Sequence, residues 1–299
     1  MKDHPMKQKM AILLAAAGFL VANPAVAKPL EMQVIPTSVN SMHANMTLIL
    51  GEKSAVLVDA PFSRADAHRV VAAIVDSGKR LETILITHDH PDHFFGLDVL
   101  KDAFPEAKVV AHPIVVKDIT RSIPIKFERW SPLLGTNAPQ QAVIPVALTG
   151  DSITLEGHKL TLLGPMQGDH ARATALWDGE TQTLIAGDLL YNGIYVWLGE
   201  HLKPQYDGWR KTLDTLAAMD PARIIAGHTR PGLPDDSYAI EWTRAYIDAF
   251  EREAKTARSS RELGERMRAL YPTAVDVAGG FLVGVSSQVG TGEIPPWDE

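Results

Sequence analysis

Apolar residues recur along this chain with two periods. Met46 to Leu50 (MTLIL) and Ala55 to Asp59 (AVLVD) are short apolar runs joined by Gly-Glu-Lys-Ser, which predicts a β-hairpin. Asp66 to Asp76 (DAHRVVAAIVD) spaces its apolar side chains like an amphipathic helix, and Gly78 suits its end. Thr83 to Thr87 (TILIT) predicts a buried strand, Gly96 to Phe104 a helix, Lys108 to Ala111 a strand and Pro113 to Arg121 another helix. The period is then lost. Residues 122–150 carry Pro124, Pro132, Pro139 and Pro145, with Trp130, Leu133 and Leu134 between them. They read as an irregular loop, either a lid or a plain surface excursion. Strand patterns return at Ser152 to Leu155, Lys159 to Leu163, Ala173 to Trp177 and Thr183 to Ala186. A helix from Trp209 to Met219, a strand from Arg223 to Ala226, and helices over Ala239 to Arg258 and Arg261 to Leu270 follow. The Gly-rich tail from Gly279 contains FLVGV, too short to span a bilayer. There is no short fixed repeat and no inter-domain linker. Mixed strands and helices of this kind predict an α/β (α+β) domain of two sheets flanked by helices.

Composition changes this picture at the N-terminus. Lys2, Lys7 and Lys9 precede the apolar run AILLAAAGFLVA, which Asn23 and Pro24 break before Ala25-Val26-Ala27. Positive start, apolar run and A-x-A site predict a secretory signal over residues 1–27, cut after Ala27, and a periplasmic or secreted product. The alternative is an uncleaved anchor or a buried helix. There is no twin-Arg pair and no lipid-attachment Cys. The segment carries three Lys and one Asp, so its removal takes the net charge from −7 to −9. So acidic a chain, with no basic block, is a poor nucleic-acid binder. The 299 residues include no Cys, which excludes disulfides, thiolate ligands and a Cys nucleophile. A small-molecule substrate is the expected partner, with no stable membrane insertion after signal cleavage; the sequence leaves the oligomeric state open.

The chemistry concentrates in His88-Asp89-His90-Pro91-Asp92-His93. Residues i and i+2 of an extended segment share a side, so His88 and His90 converge beyond the strand TILIT. Pro91 keeps His90 out of helix geometry, and the chain turns to present Asp92 and His93 from the first turn of the next helix. Imidazole is the commonest metal ligand, and carboxylate adds the charge a dication needs. A capping role explains one Asp but not three His. Gly168-Asp169-His170, Ala186-Gly187-Asp188 and Gly227-His228-Thr229 each place a further ligand-type side chain at a strand end or Gly turn.

H-x-H-x-D-H, then His, then Gly-Asp, then Gly-His, resembles the metallo-β-lactamase superfamily over about residues 34–232. The resemblance implies a four-layer αββα sandwich in residues 28–299, with a helical extension over 235–299. It implies that His88, His90 and His170 hold one metal, that Asp92, His93 and His228 hold a second, and that Asp188 bridges them. The expected cofactors are two Zn²⁺, with iron or manganese as alternatives. The nucleophile would be a metal-bridging hydroxide, with Asp92 orienting it and acting as a catalytic residue. True β-lactamases of this superfamily often use a Cys ligand, absent here. Asp188 in Gly-Asp-Leu-Leu-Tyr is more similar to the lactonase, glyoxalase II and phosphotriesterase-type branches. Tyr191 matches the placement of a lactonase tyrosine that touches the substrate carbonyl; its other reading is a packed aromatic with a bonded hydroxyl.

The expected activity is an exported dinuclear zinc hydrolase acting on a small ester, lactone, lactam or thioester. The alternatives are an iron-dependent oxidoreductase on the same fold, or a β-lactamase proper. Nuclease activity is disfavoured by charge and by the signal. A non-catalytic metal binder is disfavoured by the full ligand set. His112 reads as a structural His, and His43, His68, His158 and His201 as non-ligands. Asp59 reads as outer support for a metal-binding His. Phe94, Phe95, Trp130 and Trp197 read equally as pocket wall or core.

Overall fold

The computed structural model describes residues 1–2 and 28–297, so the predicted signal segment lies outside the described residues apart from its first two. The first sheet contains β1 (Glu31–Pro36), β2 (Asn45–Leu50), β3 (Ser54–Val58), β4 (Arg80–Ile86), β5 (Lys108–Ala111) and β6 (Val146–Ala147), in that order. β1, β2 and β3 run antiparallel, and β3 to β6 run parallel. Parallel neighbours need a crossover. Helices α1 (Arg64–Asp76), α2 (Leu97–Ala103) and α3 (Pro113–Leu134) supply them. The second sheet is built from β7 (Ser152–Leu155), β8 (His158–Met166), β9 (Ala173–Asp178), β10 (Thr183–Ile185) and β12 (Arg223–Ile225), ordered β12-β10-β9-β8-β7. A short parallel pair, β11 (Tyr191–Asn192) and β13 (His228–Thr229), sits apart. Helices α4 (Lys203–Ala218), α5 (Tyr238–Ala254), α6 (Ser260–Leu270) and α7 (Phe281–Gly290) complete the chain.

The strands alternate between two apolar clusters. Ile49, Val56, Val58, Leu85, Leu176, Ile185 and Ile225 form one cluster where the sheets face each other. Their neighbours Leu48, Leu57, Ile84, Ile86, Leu184 and Ile224 join the other, together with helix residues such as Val70, Ile74, Ile119 and Trp209. Because a strand's side chains alternate, both faces of each sheet are covered, giving the αββα layering expected from the sequence. Among the described residues, no helix is long and apolar enough to cross a membrane.

Two expectations need correction. Residues 122–150 are not an irregular loop throughout, because α3 continues to Leu134 through Pro124 and Pro132. Each proline removes a backbone donor, yet Val115, Ile119, Ile123, Lys126 and Trp130 keep a helical buried stripe, with Pro124 on the exposed side. Packing of that stripe outweighs the lost bonds. Asp92 and His93 stand on a separate short 3-10 turn, Pro91–His93, before α2 begins. Two elements stand outside the expected set: β1 before the hairpin, and α7 in the Gly-rich tail.

Candidate metal centre

The centre lies where β3, β4, β10 and β12 end. Asp59 follows β3 in a left-handed conformation (φ 66°) that a non-glycine residue adopts only when held there. Its carboxylate accepts Thr87 N at 2.8 Å and Thr87 Oγ1 at 2.9 Å, and it lies 2.8 Å from His93 Nδ1. It therefore ties the end of β4 to the turn carrying His93, the supporting role read from the sequence. Asp188 depends on a close approach: a Cβ at Gly227 would lie 1.9 Å from Asp188 Oδ1, so only glycine fits.

Each imidazole uses one nitrogen for support and aims the other inward. His88 Nδ1 is 2.9 Å from Thr87 Oγ1, and its Nε2 lies 3.6 Å from Asp188 Oδ2. His90 Nε2 is 2.8 Å from Glu200 Oε1, and its Nδ1 points at Asp169 Oδ2 at 3.2 Å. His93 Nε2 lies 3.1 Å from Asp188 Oδ1. His228 Nδ1 donates to Met42 O at 2.8 Å, and its Nε2 lies 3.1 Å from Asp188 Oδ2 and 3.4 Å from Asp92 Oδ2. Support at one nitrogen fixes tautomer and orientation for a metal at the other.

Two ligand groups result. His88, His90, Asp169 and Asp188 bring ligand atoms within 4.8 Å of one another, as do Asp92, His93 and His228. Asp188 contacts imidazoles of both groups. His170 joins neither: its Nε2 faces Asp89 Oδ1 at 3.0 Å, and its Nδ1 accepts Arg172 N at 3.2 Å. His88 Nε2, Asp169 Oδ1 and Asp188 Oδ1 are buried with no hydrogen-bond partner. Buried polar atoms are ordinarily satisfied, so such a convergence fits a cation. Burial and then neighbouring His93 hold the His88 imidazole down to about 3, in the neutral form a metal requires. Burial would raise Asp188, but His228, His93 and His88 hold it well below the usual carboxylate range. Burial and then Asp188 push Asp169 up.

Tyr191 is buried, and its hydroxyl donates to Asp169 Oδ2 at 2.6 Å. Its ring stacks on His228, with centroids 5.0 Å apart. Burial and Asp169 keep the phenol protonated, its pKa well above the usual value. His112 caps α3, its Nδ1 accepting Ile114 N. His43, His158 and His201 bond to Thr37 O, Glu180 and Gly168 O. A narrow cavity opens onto the centre between Trp130, Trp197, Phe281 and Trp297. Phe94 and Phe95 belong to the core instead.

Sequence reasoning passed over Asp169, Glu200, Lys126, Phe281 and Trp297. Asp169 was within sight, beside His170 in Gly168-Asp169-His170. Glu200, Lys126 and the tail aromatics carried no local pattern.

The metallo-beta-lactamase superfamily pattern matches residues 40–228. YobT of Bacillus subtilis (strain 168), an uncharacterized protein, is 38% identical over 200 residues, 62% of this chain and 82% of that one. A hydroxyacylglutathione hydrolase of Albidiferax ferrireducens is 28% identical over 182 residues, 60% of each chain. A metallo-beta-lactamase family protein of Thermus thermophilus shares the fold at TM-score 0.62 and 22% identity, over 88% of this chain and 91% of that one. DIM-1 metallo-beta-lactamase does so at TM-score 0.55 and 18% identity, over 75% and 98%. This chain belongs to the metallo-beta-lactamase superfamily, most of whose members are hydrolases. Within that fold, its His and Asp groups form a centre suited to divalent metal ions.

Proposed function

We propose that the protein is an exported dinuclear zinc hydrolase of small acyl compounds: esters, lactones, lactams or thioesters. One observation carries the dinuclear reading. Asp188 lies between two ligand groups and contacts imidazoles of both. His88, His90 and Asp188 would hold one ion with a further donor from the 168–170 loop. Asp92, His93 and His228 would hold the other. When bound, such ions polarise a carbonyl and make water acidic enough to attack near neutral pH. The chain's own groups do the rest. Asp92 lines the cavity and would orient the attacking water. Trp130, Trp197 and Phe281 would receive an apolar acyl portion and exclude bulk water. Tyr191 donates to Asp169 and holds it toward the centre. The similarity to hydroxyacylglutathione hydrolases favours acyl hydrolysis, thioesters first. The three-part segment over residues 1–27 supports export.

The test is elemental analysis of the protein isolated from cells, followed by a panel of thioesters, lactones, esters and β-lactams before and after chelation. About two zinc ions per chain, activity lost on chelation and activity restored by zinc are expected. Turnover that survives complete metal removal would refute the reading.

A further inference from the structure

We propose that Asp169, and not the neighbouring His170, supplies the remaining donor of the first metal site. This rests on the reading above only in taking the centre to hold metal. Asp169 and His170 sit on a tight bend that Gly168 N closes onto His170 O, and the two side chains take different surroundings. Asp169 faces inward. Its Oδ2 lies 3.2 Å from His90 Nδ1 and its Oδ1 4.0 Å from His88 Nε2. That Oδ1 is buried with no hydrogen-bond partner.

His170 has no lone pair to give. Its Nδ1 accepts the Arg172 backbone N–H. The ring proton therefore sits on Nε2, which faces Asp89 Oδ1 at 3.0 Å. Asp89 is fixed in turn by buried Lys126, whose Nζ lies 3.2 Å from Asp89 Oδ2 and also donates to Asp89 O. His170 is thus packed beside the buried Lys126–Asp89 ion pair, facing away from the metal centre.

The loop is also locked in this orientation. Asp169 N donates to Asp188 O at 3.2 Å, and Gly168 N to His170 O at 2.9 Å. Gly168 O accepts Gln167 Nε2 at 2.9 Å and lies 2.7 Å from His201 Nε2. A Cβ at Gly168 would sit 2.9 Å from Asp188 O, so the loop lies flat against the residue that carries the bridging carboxylate. Tyr191 Oη donates to Asp169 Oδ2 at 2.6 Å, the outer hydrogen bond that orients ligating carboxylates. The first site then has two imidazoles and two carboxylates, a harder set with one more negative charge than three imidazoles and one carboxylate. Such donors suit manganese better than a histidine-rich set does.

The experiment compares wild type, D169N, H170A and H170Q, loaded with Co²⁺. Bound metal per chain, Co²⁺ affinity and the visible cobalt spectrum are read, with circular dichroism as the folding control. D169N is expected to lose one metal, or about tenfold or more in affinity at one site, with a changed spectrum. H170A and H170Q are expected to keep two metals and the wild-type spectrum. Two metals and an unchanged spectrum in D169N would overturn the proposal. So would loss of one metal in a folded H170Q. Wild type that binds two metals but hydrolyses nothing would sink the proposed function alone. Wild type that binds no metal would sink both.

Discussion

Asp59 shows how much one outer residue can organise. Its carboxylate binds Thr87 through both backbone and hydroxyl, and it holds His93 Nδ1. Removing it frees the ring of His93 to rotate and leaves Thr87 N, which is buried, without its acceptor. Outer residues of this kind are worth roughly 10–100-fold in metal affinity. Asp59→Ala is therefore expected to weaken metal binding by about that factor, measured by competition with a chromophoric chelator. Wild-type affinity in the variant would mean that His93 is oriented by other contacts. Gly227 is the steric counterpart. Gly227→Ala is expected to abolish binding of at least one metal, because its Cβ and Asp188 Oδ1 cannot share the space. Elemental analysis of the folded variant checks this.

At the scale of elements, α3 links the core to the site. It buries Ile119, Ile123 and Trp130 on one face and carries Lys126 to the underside of the metal-binding segment. Lys126 is 1% exposed and pairs with Asp89, which is 2% exposed. Removing one member of a pair so completely buried leaves an uncompensated charge, a loss of about 3–5 kcal/mol. Lys126→Ala should lower unfolding stability by about that amount, read from denaturant midpoints at unchanged m value. A loss below about 1 kcal/mol would show that water reaches Asp89 and that the pair is not sealed.

At the scale of the molecule, the site belongs to both sheets and to the C-terminal helices. β4 delivers His88 and His90, the ends of β10 and β12 deliver Asp188 and His228, and the tail delivers Phe281 and Trp297 to the cavity wall. These two aromatics lie beyond the segment matched by the family pattern, 40–228. They pack on each other with centroids 5.6 Å apart, and Trp197 stacks on Phe281 at 5.3 Å. Burying an aromatic against an apolar substrate is worth ~1.5–3 kcal/mol, and each 1.4 kcal/mol is tenfold in binding. Trp297→Ala should raise KM for substrates with an apolar acyl group by roughly tenfold, with kcat little changed. Equal effects on an acetyl substrate and a long-chain one would exclude a wall that reads the acyl group.

The sequence by itself determined the family, the layered α/β architecture and the region of the site. Period-2 and period-3.6 patterns are local, and six positions from His88 to His93 concentrate ligand types that nothing but a shared charge would gather. Asp59, at the end of a strand, was legible for the same reason. Tertiary structure decided what depends on contacts between distant segments. Helix α3 runs through two prolines because its buried stripe finds a core to pack against. The tail aromatics reach the cavity because α7 docks beside Trp197 and Trp130. Which member of Asp169-His170 turns inward is set by Asp89 and Arg172 on one side and Tyr191 on the other. A dipeptide holds no record of those partners, since they come from segments up to about eighty positions away.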